Sequence, residues 1–363
     1  MTTALIVVAI FVGLIVVHEL GHFLVAKWMG VRVEEFGIGY PPRAITLGRW
    51  GGTEYTINWL PFGGFVRLFG DEETAEHGRG SFQDAPRLTQ AAILVAGVAM
   101  NALLAWGLFA WSLTIGVPDV IDAPRPGEQA RLFIAHVVPG SPADAAGVRA
   151  GDELIALADE DGVAVSELTP AAVSAFVAIR AGESLDITYV RASATTTSTV
   201  RPANAVVPGE ANRPAPGVGL ALVATRALPS SEALRESVPL TLSYFRATFD
   251  GVWQLIAGAF RLSAPIDQVV GPVGLVSVIG EAAHNGWGNV IKLAGFISVN
   301  LAIINLIPIP ALDGGRLAIL AIEGVLRRPA PRLAVQVVNT FGVALLMLLM
   351  IVVTYQDIAR LLA

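Results

Sequence analysis

Long apolar stretches separated by polar loops dominate the pattern of this chain. Four of these stretches, at residues 4–28, 88–117, 293–312 and 333–355, are long enough to form helices that cross a bilayer. Between residues 119 and 206 the pattern changes to short alternating segments bounded by Gly and Pro, which predicts strands and turns. We therefore expect a polytopic α-helical membrane protein with about four transmembrane helices and an inserted α+β domain.

The composition agrees with a membrane protein. Hydrophobic residues make up 54% of the chain and charged residues only 15%, and the mean hydropathy of +0.62 is well above that of soluble proteins. The net charge of −6 and the lack of a basic tract argue against a nucleic-acid partner. Because the chain contains no cysteine, disulfides and cysteine metal sites are excluded, and a metal would need His and carboxylate ligands.

Basic residues predict the orientation of the membrane helices. Arg327, Arg328 and Arg332 lie in the short loop between the third and fourth apolar stretches, and such basic loops are cytoplasmic. Four crossings then place both termini and residues 119–289 outside the cytoplasm, with residues 27–87 on the cytoplasmic side. We expect a multi-pass protein of the cell inner (cytoplasmic) membrane.

The first apolar stretch contains the sequence His18-Glu19-Leu20-Gly21-His22. In a helix, positions i and i+4 share one face, so His18 and His22 can bind one metal while Glu19 lies beside it. Ionisable side chains inside a membrane helix are costly and indicate function. The alternative is a pair of helix histidines that form hydrogen bonds in a protein core. The motif favours the first interpretation, a metalloprotease whose active site lies within the membrane.

A metal held by two histidines needs a further protein ligand and leaves a position open for water. The third stretch ends in Asn305-Leu306-Ile307-Pro308-Ile309-Pro310-Ala311-Leu312-Asp313-Gly314-Gly315-Arg316, in which two prolines and a glycine pair disrupt the helix. Asp313 lies at the same predicted depth as His22 and is the candidate third ligand. Taken alone, Asp313 could instead cap a helix that follows a kinked span.

Residues 139–157 predict a short helix, a glycine turn and a strand. Their sequence, PGSPADAAGVRAGDELIAL, resembles the PDZ domains of bacterial membrane-associated proteases. Strands predicted at residues 131–137 and 185–191, and a helix predicted at 170–179, extend this domain over residues 119–206. PDZ domains bind extended peptides or chain ends by strand addition, although this one could equally act as a steric lid without a ligand.

The whole chain resembles bacterial site-2 proteases of the regulator-of-sigma-E protease type. The first family motif matches His18, Glu19 and His22, and the second, Asn-x-x-Pro-x-Pro-x-x-Asp-Gly, matches residues 305–314. Two further family elements match residues 97–101 (Gly-x-x-x-Asn) and 271–274 (Gly-Pro-Val-Gly), and the sequence suggests no physical role for the latter. The resemblance implies one zinc ion per chain, with Glu19 as catalytic base, Asn305 helping to hold the substrate, and three zinc ligands, His18, His22 and Asp313.

The loop after the first membrane helix predicts a β-hairpin. Residues 54–59 alternate like a strand, residues 61–64 form a turn, and residues 65–68 return. The resemblance implies a membrane-associated hairpin. On physical grounds we expect its edge to pair with a substrate unwound into an extended form, and Asn58 and Gly64 are the predicted substrate contacts. The alternative is a cytoplasmic hairpin that only packs against the helices.

The remaining segments complete the predicted domain organisation. Residues 202–216 are rich in Pro, Ala and Asn and predict a linker. Apolar residues recur at helical spacing from 245 to 260, which predicts an amphipathic helix at the membrane surface or, alternatively, a helix packed on the PDZ domain. The chain then divides into four parts. Residues 1–118 contain two membrane helices and the hairpin, and residues 119–206 form the PDZ domain. Residues 207–289 contain a linker and surface helices, and residues 290–363 contain the last two membrane helices.

Together these features predict an intramembrane zinc metalloprotease that hydrolyses peptide bonds within transmembrane segments of single-span proteins. The resemblance implies substrates such as anti-sigma factors and remnant signal peptides, cut after a site-1 protease has removed their outer domain. The alternative is a catalytically inactive, membrane-anchored PDZ adaptor, which would not need the complete set of His18, Glu19, His22 and Asp313. A transporter would show repeated halves, and the sequence shows none.

Overall fold

The computed structural model of this chain describes residues 2–71, 78–124, 128–180, 182–191, 194–203, 214–261, 270–328 and 330–362. The chain forms two compact units, one of Met1–Ile115 with Leu228–Ala363 and one of Gly116–Ala227. Within the described residues, the first unit contains the long helices and a β-hairpin, and the second unit is built around a six-stranded sheet.

Four helices among the described residues are long and apolar enough to cross a membrane. They are α1 (Thr2–Trp28), α2 (Arg87–Ile115), α7 (Trp287–Leu306) and α9 (Arg332–Leu362). The prediction of four spans is confirmed, but the predicted third span is wrong at both ends, since α7 begins before residue 293 and ends before residue 312. The helix stops because Pro308 keeps Ile307 extended, with φ −67° and ψ 142°.

Helix α2 is the centre of the first unit. It packs against α1, α7 and α5 (Ser230–Phe260). Ala105 and Phe109 of α2 are fully buried, and a Cβ added to Gly295 of α7 would lie 2.9 Å from the Phe109 ring. Glycine at this position therefore lets α2 and α7 approach closely, as small residues do in membrane helix pairs.

Helix α5 begins well before the amphipathic segment predicted at residues 245–260. Tyr244 and Phe245 pack into the apolar cluster that α5 forms with α2 and α7, whereas Phe249 and Trp253 remain exposed. The packed face of α5 thus contacts membrane helices of its own unit. Its place at the membrane surface stays a prediction.

The β-hairpin consists of β1 (Val33–Trp50) and β2 (Thr53–Leu68). Its tight turn is at Gly51 and Gly52, whose φ angles of +56° and +80° favour glycine. The turn predicted at residues 61–64 is wrong, because β2 continues through it and residues 64–68 pair with residues 33–38 of β1. Glycine permits this pairing, since a Cβ on Gly37 would overlap the ring of Phe65.

The second unit contains one sheet with strand order β3–β8–β4–β5–β6–β7. Its strands are β3 (Val117–Val120), β4 (Ala130–Val137), β5 (Glu153–Asp159), β6 (Leu185–Arg191), β7 (Ala194–Val200) and β8 (Val218–Arg226), with helices α3 (Pro142–Ala145) and α4 (Pro170–Ala178). The strands predicted at 131–137 and 185–191 and the helix at 170–179 are confirmed. Val173 and Val177 of α4 pack on Leu132 and Ile134 of β4 in one buried core.

This compact unit extends beyond the boundary predicted at residue 206. Strand β8 lies between β3 and β4 in the sheet, so the chain after residue 217 returns to the same unit and leaves it only after Ala227. Most of the predicted linker, residues 204–213, lies outside the described residues.

Asp152 fixes the turn that precedes β5. Its carboxylate accepts hydrogen bonds from Nε and Nη2 of Arg191, both at 2.7 Å, and from the backbone N–H of Arg149 at 2.8 Å. Burial acts to raise the pKa of Asp152, but these hydrogen bonds outweigh burial and hold the pKa below its ordinary value. The carboxylate is therefore charged in the folded unit at neutral pH.

Asp152→Asn is expected to lower the free energy of unfolding of this unit by about 2 kcal/mol at pH 7, because the amide cannot accept both Arg191 hydrogen bonds. The folded-state pKa of Asp152 lies below the unfolded value of about 4, so its contribution is complete at neutral pH and is lost as the pH falls from about 4 through the folded-state pKa. Hydrogen exchange of β5 and β6 amides in the full chain measures this. The control, Glu183→Gln, removes a mostly exposed partner of Arg180, and equal protection in the two variants would contradict the prediction.

Candidate metal centre

His18 and His22 lie on one face of α1, as their spacing predicts. Each residue is only 7% exposed, and their ring centroids are 4.7 Å apart. Polar rings buried in this way need partners.

Asp313, the first residue of α8 (Asp313–Leu326), supplies a partner for both rings. Its Oδ2 lies 3.0 Å from Nε2 of His18 and 3.3 Å from Nε2 of His22. The two Nε2 atoms are 3.1 Å apart. The structure thus brings the three predicted ligands together, although His18 and Asp313 are 295 positions apart in sequence.

A tight loop between α7 and α8 presents Asp313 to the histidines. A Cβ on Gly314 would overlap the carbonyl oxygen of Ile307, so only glycine lets the chain fold back this closely. Ala311 within the loop has a φ of +72°, a conformation that is uncommon for residues other than glycine and is found at functional sites. The glycine after Asp313 therefore serves the geometry of the loop.

A hydrogen bond to α2 fixes the tautomer of His22, that is, which of its two ring nitrogens carries the proton. Nδ1 of His22 lies 2.7 Å from the carbonyl oxygen of Ile93. A carbonyl only accepts, so the proton of the neutral ring is on Nδ1 and Nε2 has an electron pair directed at Asp313. Two electron-pair donors 3.3 Å apart repel each other unless a cation lies between them. The donor set therefore fits a metal.

The distances are compatible with tetrahedral zinc. Tetrahedral zinc with bonds of about 2.0–2.1 Å to His nitrogen and carboxylate oxygen places its ligand atoms about 3.3 Å apart. The three ligand atoms here are separated by 3.0, 3.1 and 3.3 Å. Three protein ligands leave one tetrahedral position open, as in catalytic zinc sites.

Asn101 of α2 lies beside the outer nitrogen of His18. Its Nδ2 is 3.3 Å from Nδ1 of His18, while its Oδ1 is buried with no hydrogen-bond partner among the described residues. Turning the amide over exchanges these two atoms without a change of shape, and Oδ1 then accepts the Nδ1 proton of His18. Both histidines then carry their proton on Nδ1 and direct Nε2 toward Asp313.

Gly97, one turn before Asn101, makes room for the rings. A Cβ on Gly97 would overlap Nε2 of His22 and lie 2.7 Å from Cε1 of His18. A Cβ on Gly21 of α1 would likewise overlap the backbone of α2. In the Gly-x-x-x-Asn element, the glycine thus gives the imidazoles space and the asparagine orients one of them.

The sequence profile of peptidase family M50 matches residues 6–349. The chain belongs to this family. It is 33% identical over 348 residues to a putative zinc metalloprotease of Clostridium perfringens, with 96% of each chain covered. It is 29% identical to the zinc metalloprotease RasP of Geobacillus kaustophilus, with 97% of each chain covered. It is also 29% identical to the chloroplastic membrane metalloprotease ARASP of Arabidopsis thaliana, over 91% of this chain and 72% of that protein.

Family M50 contains the site-2 proteases, and membership makes this chain a zinc metalloprotease. The predicted enzyme class and the predicted zinc cofactor are confirmed. Because both histidines of the metal centre lie on α1, which is apolar enough to cross a bilayer, the enzyme is an intramembrane metalloprotease.

Glu19 of this M50 protease lies between the metal centre and the hairpin. It is close enough to both histidines and Asp313 to interact with them electrostatically. A Cβ on Gly64 of β2 would lie 3.6 Å from Cγ of Glu19. The second half of β2 therefore passes directly beside the candidate catalytic carboxylate.

The other predicted substrate contacts occupy two different settings. Asn58 is buried, donates from Nδ2 to the carbonyl of Gly39 at 3.1 Å, and lines a cavity of about 440 Å³ together with Phe65 and Val66. Asn305 lies in the last turn of α7, half-buried. The hydrogen bond of Asn58 stabilises the hairpin, and a substrate role for either asparagine stays a prediction.

Two contacts around the metal centre cannot be predicted from the sequence. The Ile93 carbonyl orients His22, but every residue has a carbonyl, so the sequence contains no signal for it. Arg316 of α8 pairs with Asp71, just after β2, and its guanidinium lies 5.3 Å from the ring centroid of Phe82. Arg316 follows the second motif by two positions, but the sequence does not reveal its partner Asp71.

Proposed function

We propose that this M50 protease hydrolyses peptide bonds within transmembrane segments of single-span proteins that have already lost their outer domain. The observation that carries the proposal is the convergence of His18, His22 and Asp313 beside Glu19. Both histidines and Glu19 lie on α1, which is apolar enough to span a membrane. A site at this position meets a peptide bond only if the substrate is itself in the membrane.

We assign the zinc ligands as Nε2 of His18, Nε2 of His22 and an Oδ atom of Asp313. A bound zinc ion supplies Lewis acidity, which polarises the scissile carbonyl and lowers the pKa of water. Glu19 accepts a proton from water as the water oxygen forms a bond to the carbonyl carbon. It then returns this proton to the leaving amine as the C–N bond breaks. An inactive adaptor would require neither the three ligands nor a carboxylate beside them.

The hairpin provides a means of presenting the substrate. A transmembrane helix hides its peptide bonds in its own hydrogen-bond ladder, so it must unwind before hydrolysis. A substrate segment paired with the hairpin would run beside Gly64 and bring its backbone to Glu19. Asn58 and Asn305 are the proposed amide contacts to this extended segment.

The second unit is proposed to act as a PDZ domain outside the cytoplasm. Its sequence motif around residues 139–157 supports the assignment, and the arginines between α8 and α9 support the orientation. In this position it would exclude substrates that still have a bulky outer domain, or bind the new chain end that a site-1 protease leaves. Anti-sigma factors and remnant signal peptides are substrates of the right kind for such a sequence of cuts.

The test uses purified full-length enzyme in liposomes with a single-span anti-sigma factor in two forms. One form retains its outer domain and the other is trimmed to a short outer tail. We expect only the trimmed form to be cut, at a bond within its membrane segment identified by mass spectrometry, and no product from Glu19→Gln liposomes. Equal cleavage of both forms would contradict the size filter, and cleavage only outside the membrane segment would contradict the proposed reaction.

A further inference from the structure

Asp357 is a buried acid that the proposed hydrolysis does not use. It lies near the end of α9 and is only 3% exposed. Its Oδ1 accepts a hydrogen bond from the N–H of Gly271 at 3.1 Å, and its Oδ2 accepts one from the N–H of Gly274 at 2.7 Å. These N–H groups belong to the start of α6 (Pro272–His284), where the N-cap residue offers no side-chain cap of its own. A carboxylate from α9 therefore caps α6 and complements its positive end.

This contact gives a physical role to the Gly-Pro-Val-Gly element at residues 271–274. A Cβ on Gly271 would lie 2.6 Å from Oδ2 of Asp357, and a Cβ on Gly274 would lie 3.0 Å from Oδ1. Pro272 suits the first helical position because it lacks an N–H that would otherwise need a partner there. The two glycines thus leave space for the carboxylate, and the proline starts the helix that it caps.

Helix α6 also supports the helix that contains the histidines. Ile279 of α6 is fully buried against Leu14 of α1 and Ile297 of α7. Leu14 lies one turn before His18 on the same face of α1. A shift of α6 would therefore be transmitted to the part of α1 that ends in the metal site.

Helix α9 contacts the loop that leads to Asp313. A Cβ on Gly342 of α9 would overlap Pro310, which is three residues before Asp313 in the tight loop. Among the described residues, only 11% of the most apolar 18-residue segment of α9 is buried inside the protein. The Asp357 contact is thus a polar attachment for a helix that has little other packing.

We propose that Asp357 is a positioning residue for the protease: by capping α6 from α9 it fixes both helices, and through Leu14 and Pro310 it sets His18 and Asp313 relative to each other. The catalytic part of this inference rests on the proposed function, whereas the attachment of α9 to α6 does not. The experiment therefore has a structural and a kinetic measurement.

The structural measurement is a distance between two spin labels. Because the sequence contains no cysteine, labels react only at cysteines that are introduced. Spin labels are attached to cysteines placed at Val276 of α6 and Tyr355 of α9, which are 40% and 73% exposed. We expect one narrow distance distribution in the otherwise unchanged chain and a broad one with Asp357→Ala. Asp357→Asn should also broaden it, because its amide NH₂ would face a backbone N–H.

The kinetic measurement follows cleavage of the trimmed substrate. Asp357→Ala should lower kcat by about ten- to a hundredfold while KM changes by less than about twofold and zinc stays at one ion per chain. Gly271→Ala should have the same effect, and the double variant should be no slower than the slower single one, since both changes remove one contact. The control is Gly251→Ala on α5, where an added Cβ meets no described atom within 4 Å.

Unchanged spin-label distances and unchanged kcat in Asp357→Ala would overturn the proposal. It would also be overturned if the fall in kcat of the Asp357→Ala, Gly271→Ala double variant were the product of the two single falls. If Asp357→Ala does not fold, Gly274→Ala tests the same contact more mildly, and wild-type behaviour of that variant would also overturn it. If the unmodified enzyme cuts nothing, the proposed function fails, while the spin-label distances still decide whether Asp357 joins α6 to α9.

Discussion

Replacing Glu19 with Gln is expected to lower the rate of cleavage by about 10²- to 10⁴-fold, equivalent to about 3–5 kcal/mol of activation free energy. Glutamine keeps the size and polarity of the side chain but cannot accept the proton of the attacking water. Glu19 is not among the three side chains whose ligand atoms converge, so zinc should remain bound. Product formation from the trimmed single-span substrate, followed by mass spectrometry, measures the effect.

A matched control for this variant is Glu236→Gln, which makes the same chemical change at an exposed position of α5. It should cleave at the rate of the unmodified enzyme. If Glu19→Gln retained zinc and cleaved as fast as Glu236→Gln, another group would have to be the base, and the assignment of Glu19 would be wrong.

Gly97→Ala is expected to weaken zinc binding by about 10- to 100-fold, the range seen when groups behind metal ligands are disturbed. The added methyl would overlap Nε2 of His22 and lie 2.7 Å from Cε1 of His18, so the rings or the two helices must move. Cleavage should fall in parallel at limiting zinc. Zinc content after dialysis against a series of chelator concentrations measures the affinity.

Gly107→Ala provides the control, since it makes the same substitution on the same helix. An added Cβ there meets no described atom within 4 Å, so zinc affinity and cleavage should not change. Equal zinc affinity in the two variants would show that α2 does not hold the histidines in place, contrary to the packing described above.

The metal site is largely predictable from sequence because its first half is local. The spacing of His18 and His22 places both rings on one face of any helix, without regard to the rest of the fold. Asp313 requires a longer step, since the sequence identifies it through its predicted depth, the prolines and glycines around it, and the family motif. The loop geometry explains why those residues accompany it.

Other parts of the fold depend on contacts between segments that are far apart in sequence. The local periodicity of apolar residues does not predict such contacts. The pairing of β2 with both halves of β1 depends on the close approach of Gly37 to Phe65. Strand β8 pairs with β4, which ends about 80 residues earlier in the chain, and a scan for linkers cannot anticipate this pairing. Asp357 resembles an ordinary polar residue at a helix end until α6 is placed against it.

X-ray absorption at the zinc edge, measured on unmodified enzyme, Glu19→Gln and Asp313→Ala, tests the central claim most directly. For the first two proteins we predict one zinc per chain with two imidazole ligands and nitrogen or oxygen at about 2.0–2.1 Å, and for Asp313→Ala we predict loss of zinc. Zinc bound with a different number of histidines, or bound unchanged without Asp313, would contradict the account.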